Sequence, residues 1–117
     1  MNTSQRGREG EARAVAFLEA AGMGIIARNV RSPVGEIDVV ALDGETIVFV
    51  EVKAWSAYAI EELHYGIDEK KQRRIIETAK YFLFSHREYS GMAVRFDVIF
   101  IGLELITHLV SAFMECI

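Results

Sequence analysis

Apolar residues first recur with a helical period. From Thr3 or Ser4 to Ala21, the positions Ala14, Val15, Leu18 and Ala21 line one face, with Ser4 available as an N-cap and Gly22 ending the run. The period then changes. Gly24 to Val30 is β-like and breaks at Ser32-Pro33. Ile37–Ala41 and Thr46–Val52 are rich in Val and Ile and flank Asp43-Gly44, a strong hairpin signal. Thr46–Val52 is apolar on both faces, as expected of a central, buried strand. Asp68 can cap a second helix reaching about Ser85, whose stripe is Ile75, Ala79, Phe82 and Leu83. Val94–Ile101 is an apolar strand containing Asp97, and Leu105–Val110 reads as another. The order α-β-β-β-α-β-β predicts one layer of sheet with helices packed against it.

Composition narrows this picture only a little. The chain has 117 residues, 51% hydrophobic and 26% charged, which fits one folded domain and excludes a disordered chain. A single Cys excludes a disulfide framework or a Cys-based zinc site and fits a reducing compartment. Met1 to Gly10 is polar, and no stretch approaches the ~20 apolar residues of a membrane span, so a soluble cytoplasmic protein with no membrane partner is expected. Thirteen basic against 17 acidic residues give a net charge of −4, which rules out a wholly basic nucleic-acid coat but not a locally basic face.

The chemistry concentrates in Gly35-Glu36-Ile37-Asp38 and Glu51-Val52-Lys53. Alternation puts Glu36 and Asp38 on one face of their strand, and Glu51 and Lys53 on one face of the next. With Asp43-Gly44 as a two-residue turn, Leu42 pairs with Glu45. Asp38 then lies opposite Phe49 and diagonal to Glu51, while Glu36 lies opposite Glu51, so all four ionisable groups share one side. Like charges across a hairpin repel, and buried carboxylates need a cation or a proton. Lys53 offers one positive charge against several acids, which leaves room for a hard divalent cation with oxygen ligands. Glu11 stands at helical spacing before Ala14, Val15 and Leu18, on the line that faces the sheet, and Lys71 stands likewise before Ile75 and Ala79. The same strand residues also read as a solvated hairpin face with one ordinary ion pair; the alignment of Glu11 tips the balance toward a site.

An Asp followed, after an apolar strand, by Glu-x-Lys resembles the PD-(D/E)xK nuclease superfamily, which implies a restriction-endonuclease-like αβββαβ core, a mixed central sheet flanked by helices. A wider pattern resembles the YraN-like family of bacterial proteins, related to archaeal Holliday-junction resolvases. It consists of Gly7-Arg8-Glu9-Gly10-Glu11, Arg28-Asn29-Val30-Arg31, Gly35-Glu36-Ile37-Asp38, Val48-Phe49-Val50-Glu51-Val52-Lys53, Lys71, Arg95-Phe96-Asp97-Val98 and Ala112-Phe113. The resemblance implies Asp38 and Glu51 as metal-binding acids, Lys53 as the catalytic lysine, Glu11 as a helix-borne acid at the metal, and Glu36 as an outer or extra ligand. Where the family pattern carries an Arg two residues after the lysine, this chain has Trp55.

The expected activity is Mg²⁺- or Mn²⁺-dependent hydrolysis of phosphodiesters in DNA, branched or structured DNA included. Asp38, Glu51 and the Val52 carbonyl would hold the ion, and Lys53 would position or deprotonate the attacking water. Lys70, Lys71, Arg73 and Arg74 on the second helix, with Arg8 on the first, would track a phosphate backbone, and Trp55 would either stack on a base or simply cover the core. The competing account of those cations is a solvated helix face balanced by Glu69 and Glu77. Two further readings stand beside the enzyme. One is a non-catalytic module binding nucleic acid or protein on the same fold. The other is a homodimer joined through the C-terminal edge strand. His64, His86 and His108 lack metal-ligand spacing, and Cys116 reads as a free thiol.

Overall fold

The computed structural model describes residues 3–54 and 68–113. Its elements are α1 (Thr3–Ala20), β1 (Gly24–Ser32), β2 (Gly35–Asp43), β3 (Thr46–Ala54), α2 (Glu69–Ser85), β4 (Ala93–Ile101) and β5 (Ile106–Phe113), with one 3₁₀ turn at Arg87–Tyr89. This is the expected order. The five strands form one mixed sheet in sequence order. Only β3 and β4, the strands on either side of α2, pair in parallel. A parallel pair needs a crossover, which a helix usually supplies.

The sheet is covered on both faces. Ala14 and Leu18 of α1 pack on Val39, Ala41, Val48, Val50, Ile99 and Ile101. Ile75, Ile76, Ala79 and Phe82 of α2 pack on Ile37, Val40, Ile47, Phe49 and Phe96. β3 contributes to both clusters, which is why its sequence is apolar without alternation. Gly22 ends α1 at φ +93°, with Gly22 N–H donating to the Glu19 carbonyl and Met23 N–H to that of Leu18, a Schellman closure. Asp68 caps α2, its Oδ1 accepting the Lys71 N–H at 2.8 Å.

The hairpin register differs from expectation. Asp43 pairs with Thr46, so the turn residues are Gly44 and Glu45 and not Asp43 and Gly44. Gly44 takes φ +60°, as the first central residue of a type II′ turn does. The whole ladder therefore moves by one step on each strand: Phe49 faces Val40, and not Asp38. Glu36 loses its expected place opposite Glu51, and Asp38 takes it. Parity is unchanged over the paired stretch Val39–Asp43, but the alternation of β2 breaks just before it, where Ile37 packs on the same side as Val40. The last strand also runs further than Leu105–Val110, ending at Phe113, whose ring stacks on Phe96 at 5.0 Å.

Candidate functional site

The site forms where β2 leaves β3. Their ladder runs from Asp43↔Thr46 to Val39↔Val50 and stops there. One step further Asp38 meets Glu51, and beyond that Ile37 would meet Val52. The Val52 N–H instead donates to Asp38 Oδ2 at 2.8 Å. A carboxylate has thus replaced a backbone carbonyl as the acceptor. The pleat of β2 slips at the same level, because Ile37 packs on the α2 side with Val40 while Val39 and Ala41 pack on the α1 side. Across from Asp38 on β1, between the pairs Arg28↔Val39 and Val30↔Ile37, Asn29 adopts φ +53°. Asn tolerates this left-handed region better than most residues.

Glu51 follows directly on β3, its side chain only 9% exposed. The α2 side supplies its cation: Lys71 Nζ lies 2.7 Å from Glu51 Oε1. Burial and the neighbouring Asp38 charge push the Glu51 pKa up to about 7, against the opposing pull of Lys71. Burial also raises Asp38, although the Val52 N–H and the hydrogen bond with Glu51 favour its ionised form. One lysine faces two adjacent acids, Glu51 buried and Asp38 half-buried, and acids this close titrate as a pair. Burial disfavours the charged form of Lys71, but its hydrogen bond to Glu51 and the charges of Glu51, Asp38 and Glu36 outweigh this and raise its pKa.

Glu11 reaches the group from α1, on the other face. Burial and then the charge of Asp38 raise its pKa, while Arg28 and a hydrogen bond from Asn29 oppose the shift. Arg28 stands 3.8 Å from Oε1, too far for a hydrogen bond, and this buried oxygen has no hydrogen-bond partner among the described residues. Orphaned buried acceptors are uncommon in folded proteins.

A cleft of about 240 Å³ opens over Glu51, lined by Val34, Gly35, Glu36, Lys71, Arg74 and Ile75. Its wall is a close helix–strand approach. A Cβ on Gly35 would lie 3.2 Å from Arg74 Cβ and 3.3 Å from Thr78 Oγ1, so only glycine fits without a shift. Thr78, fully buried, hydrogen-bonds Ser32 Oγ at 2.8 Å and donates to the Arg74 carbonyl at 2.8 Å, clamping the β1–β2 end onto α2.

Of the residues picked from the sequence, Asp38 and Glu51 are brought side by side, Glu11 adds its charge near Asp38 from the α1 side, and Glu36 lies at the exposed rim 3.5 Å from Arg31. Lys53 is half-buried on β3 and forms no ion pair among the described residues; Lys71 takes that part. Arg8, Lys70, Arg73 and Arg74 are exposed, and Arg73 sits 3.5 Å from Glu69. Trp55 lies outside the described residues. Among the described residues no three His, Cys, Asp or Glu side chains are grouped closely enough to hold a metal ion by themselves.

A second polar cluster escaped the sequence reading. Asp97, its side chain fully buried on β4, accepts from Arg95 Nε and Nη2 at 3.0 Å each, His108 Nε2 at 2.7 Å and the Ser111 N–H at 2.9 Å. Arg95 also reaches Asp43 at 2.9 Å. Burial alone would raise the Asp97 pKa, but the bonds from His108, Arg95 and Ser111 reverse this and lower it. Its signal was an Arg-x-Asp pair, Arg95 and Asp97, inside an otherwise apolar strand.

A mixed α/β fold whose sheet opens onto a pair of acids, Glu51 buried and Asp38 half-buried, thus defines the class of protein. Residues 10–101 match the uncharacterised protein family UPF0102, and the chain belongs to that family. It is 50% identical over 93 residues to a UPF0102 protein of Treponema pallidum (strain Nichols), covering 80% of this chain and 74% of the relative. With the UPF0102 protein of Persephonella marina it shares 44% identity over 108 residues, covering 92% of each chain. With that of Moorella thermoacetica it shares 41% over 104 residues, covering 89% and 86%.

Proposed function

We propose that this protein is a divalent-metal-dependent nuclease of the PD-(D/E)xK type, hydrolysing phosphodiesters in DNA. The observation that carries this reading is the pairing of half-buried Asp38 with buried Glu51 at the β2–β3 fork, both raised in pKa and facing a single lysine. The donor set suits a hard cation: two carboxylates side by side, a third acid with an orphaned oxygen nearby, and an adjoining cleft. Mg²⁺ commonly takes one or two carboxylates and completes its shell with water and substrate phosphate, so a pair of protein ligands is sufficient. Asp38 and Glu51 would hold the ion. When bound, it would supply Lewis-acid stabilisation of charge developing on the phosphate.

The chain's own groups do the rest. The Val52 N–H fixes the orientation of Asp38. Glu11 provides an acceptor that can orient water from the α1 side. Lys53 follows Glu51 on the same face of β3 and would neutralise the attacked phosphate, with Arg74 at the cleft rim contacting its neighbours along the strand.

The test is Mg²⁺-dependent cleavage of branched, nicked and single-stranded DNA by the wild type and Glu51→Ala. Cleavage by the wild type alone is expected; equal activity in both sinks the assignment. DNA binding without turnover would instead favour the non-catalytic module.

A further inference from the structure

We propose that Lys71 is the site's resident cation: its ammonium holds the place beside Glu51 and Asp38 that a divalent ion takes, so ion binding requires Lys71 to leave. This rests on reading Asp38 and Glu51 as cation ligands. The geometry supports a removable contact. Lys71 touches Glu51 through one short bond, 2.7 Å, and its side chain is 43% exposed, so it can swing into water without unpacking the core. Its backbone stays fixed throughout, because Asp68 Oδ1 holds the Lys71 N–H.

The cation on the other buried acid is built differently. Arg95 grips Asp97 through two nitrogens, is itself only 18% exposed, and is tied again to Asp43. A planar guanidinium in a fork is hard to replace, whereas an ammonium on a flexible stem is a compact charge that another cation can substitute. Once displaced, Lys71 joins Arg74 at the rim of the same cleft. A divalent ion would therefore both neutralise the acids and release a positive charge toward an incoming anion.

The experiment uses the full chain and Mn²⁺ as the probe, titrated calorimetrically at about pH 8.5, where proton competition for raised carboxylates is weak. Lys71→Met should bind Mn²⁺ about tenfold tighter than the wild type, because a competing charge in direct contact is gone. Arg74→Gln removes the same charge from the same cleft without removing the contact, and should change affinity by less than about threefold, as expected for a solvent-screened charge. In the wild type, the Lys71 Nζ resonance should shift and lose its protection from exchange on saturation with Mg²⁺. This second readout needs no variant to fold. Equal Mn²⁺ affinities for Lys71→Met and Arg74→Gln, or a Lys71 resonance that Mg²⁺ leaves unchanged while Mn²⁺ binds the wild type, overturn the proposal and spare the metal reading. If neither the wild type nor Lys71→Met binds Mn²⁺, the metal reading fails and takes the proposal with it.

Discussion

Asp97 and Glu51 are both buried acids on neighbouring central strands, Asp97 beside Arg95 of its own strand and His108 of β5, Glu51 beside Lys71 of α2. Their surroundings send them in opposite directions. Asp97 receives four hydrogen-bond donors and is held in its charged form below the ordinary carboxylate range. Glu51 receives one lysine, shares its space with Asp38, and is pushed up to about 7. Burial is common to both, so it cannot explain the difference; the supply of donors does. A saturated buried acid is a strut. An undersupplied pair of acids costs the fold stability in its ionised form, which makes it a candidate for chemistry.

The largest expected effect of breaking this contrast is on the strut. Asp97→Asn keeps the shape but leaves Arg95 and His108 facing a neutral amide, and should cost about 3–5 kcal/mol in urea unfolding at neutral pH. The stability that Asp97 contributes is present above its ordinary pKa and is lost as pH falls through its lowered folded value.

Glu51 should behave with the opposite sign. Its folded pKa is raised from 4.5 to about 7, so its contribution is fully present below 4.5 and is lost as pH rises to about 7. Glu51→Gln, a neutral mimic, should flatten that slope and stabilise the protein at pH above 7 by on the order of 1–3 kcal/mol. Thermal melts of both proteins across that window check it.

Saturating Mg²⁺ should stabilise the wild type above neutral pH by about 1–3 kcal/mol, by mass action on the folded state, and leave Glu51→Gln nearly unmoved. A stabilisation of equal size in both would mean that the ion binds elsewhere. The smallest effect belongs to the clamp behind the cleft. Thr78→Val removes the bonds to Ser32 and to the Arg74 carbonyl and should cost about 1 kcal/mol without abolishing Mg²⁺ binding. Loss of Mg²⁺ binding as well would show that the clamp sets the site's geometry.

Element order and the two core faces were legible because they follow from period alone: Ala14 and Leu18, Ile75 and Ala79, and the unbroken apolar run of β3 each state where they pack. The register was not, because Asp43-Gly44 and Gly44-Glu45 are both workable turns, and only the path of the strands decides that glycine stands first. That single step moved Asp38 beside Glu51. The candidate acids were legible because charged residues on an apolar line are conspicuous. Their partners were harder. Lys71 stands out on the stripe that faces the sheet, yet nothing in the sequence singles out Glu51 as its partner. Asn29 gives no sign in sequence that its backbone turns left-handed, and Asp97 finds His108 and Ser111 only once β5 is laid beside β4.

The replacement of a carbonyl by the Asp38 carboxylate at the Val52 amide has a kinetic consequence. A sheet amide ordinarily exchanges its hydrogen only when the strand opens. The Val52 amide is guarded by a side chain whose charge varies with pH and which is itself a proposed ligand of the ion. Its exchange rate should follow the state of the site while its neighbours on β3 stay silent, giving a built-in reporter of occupancy that needs neither substrate nor label.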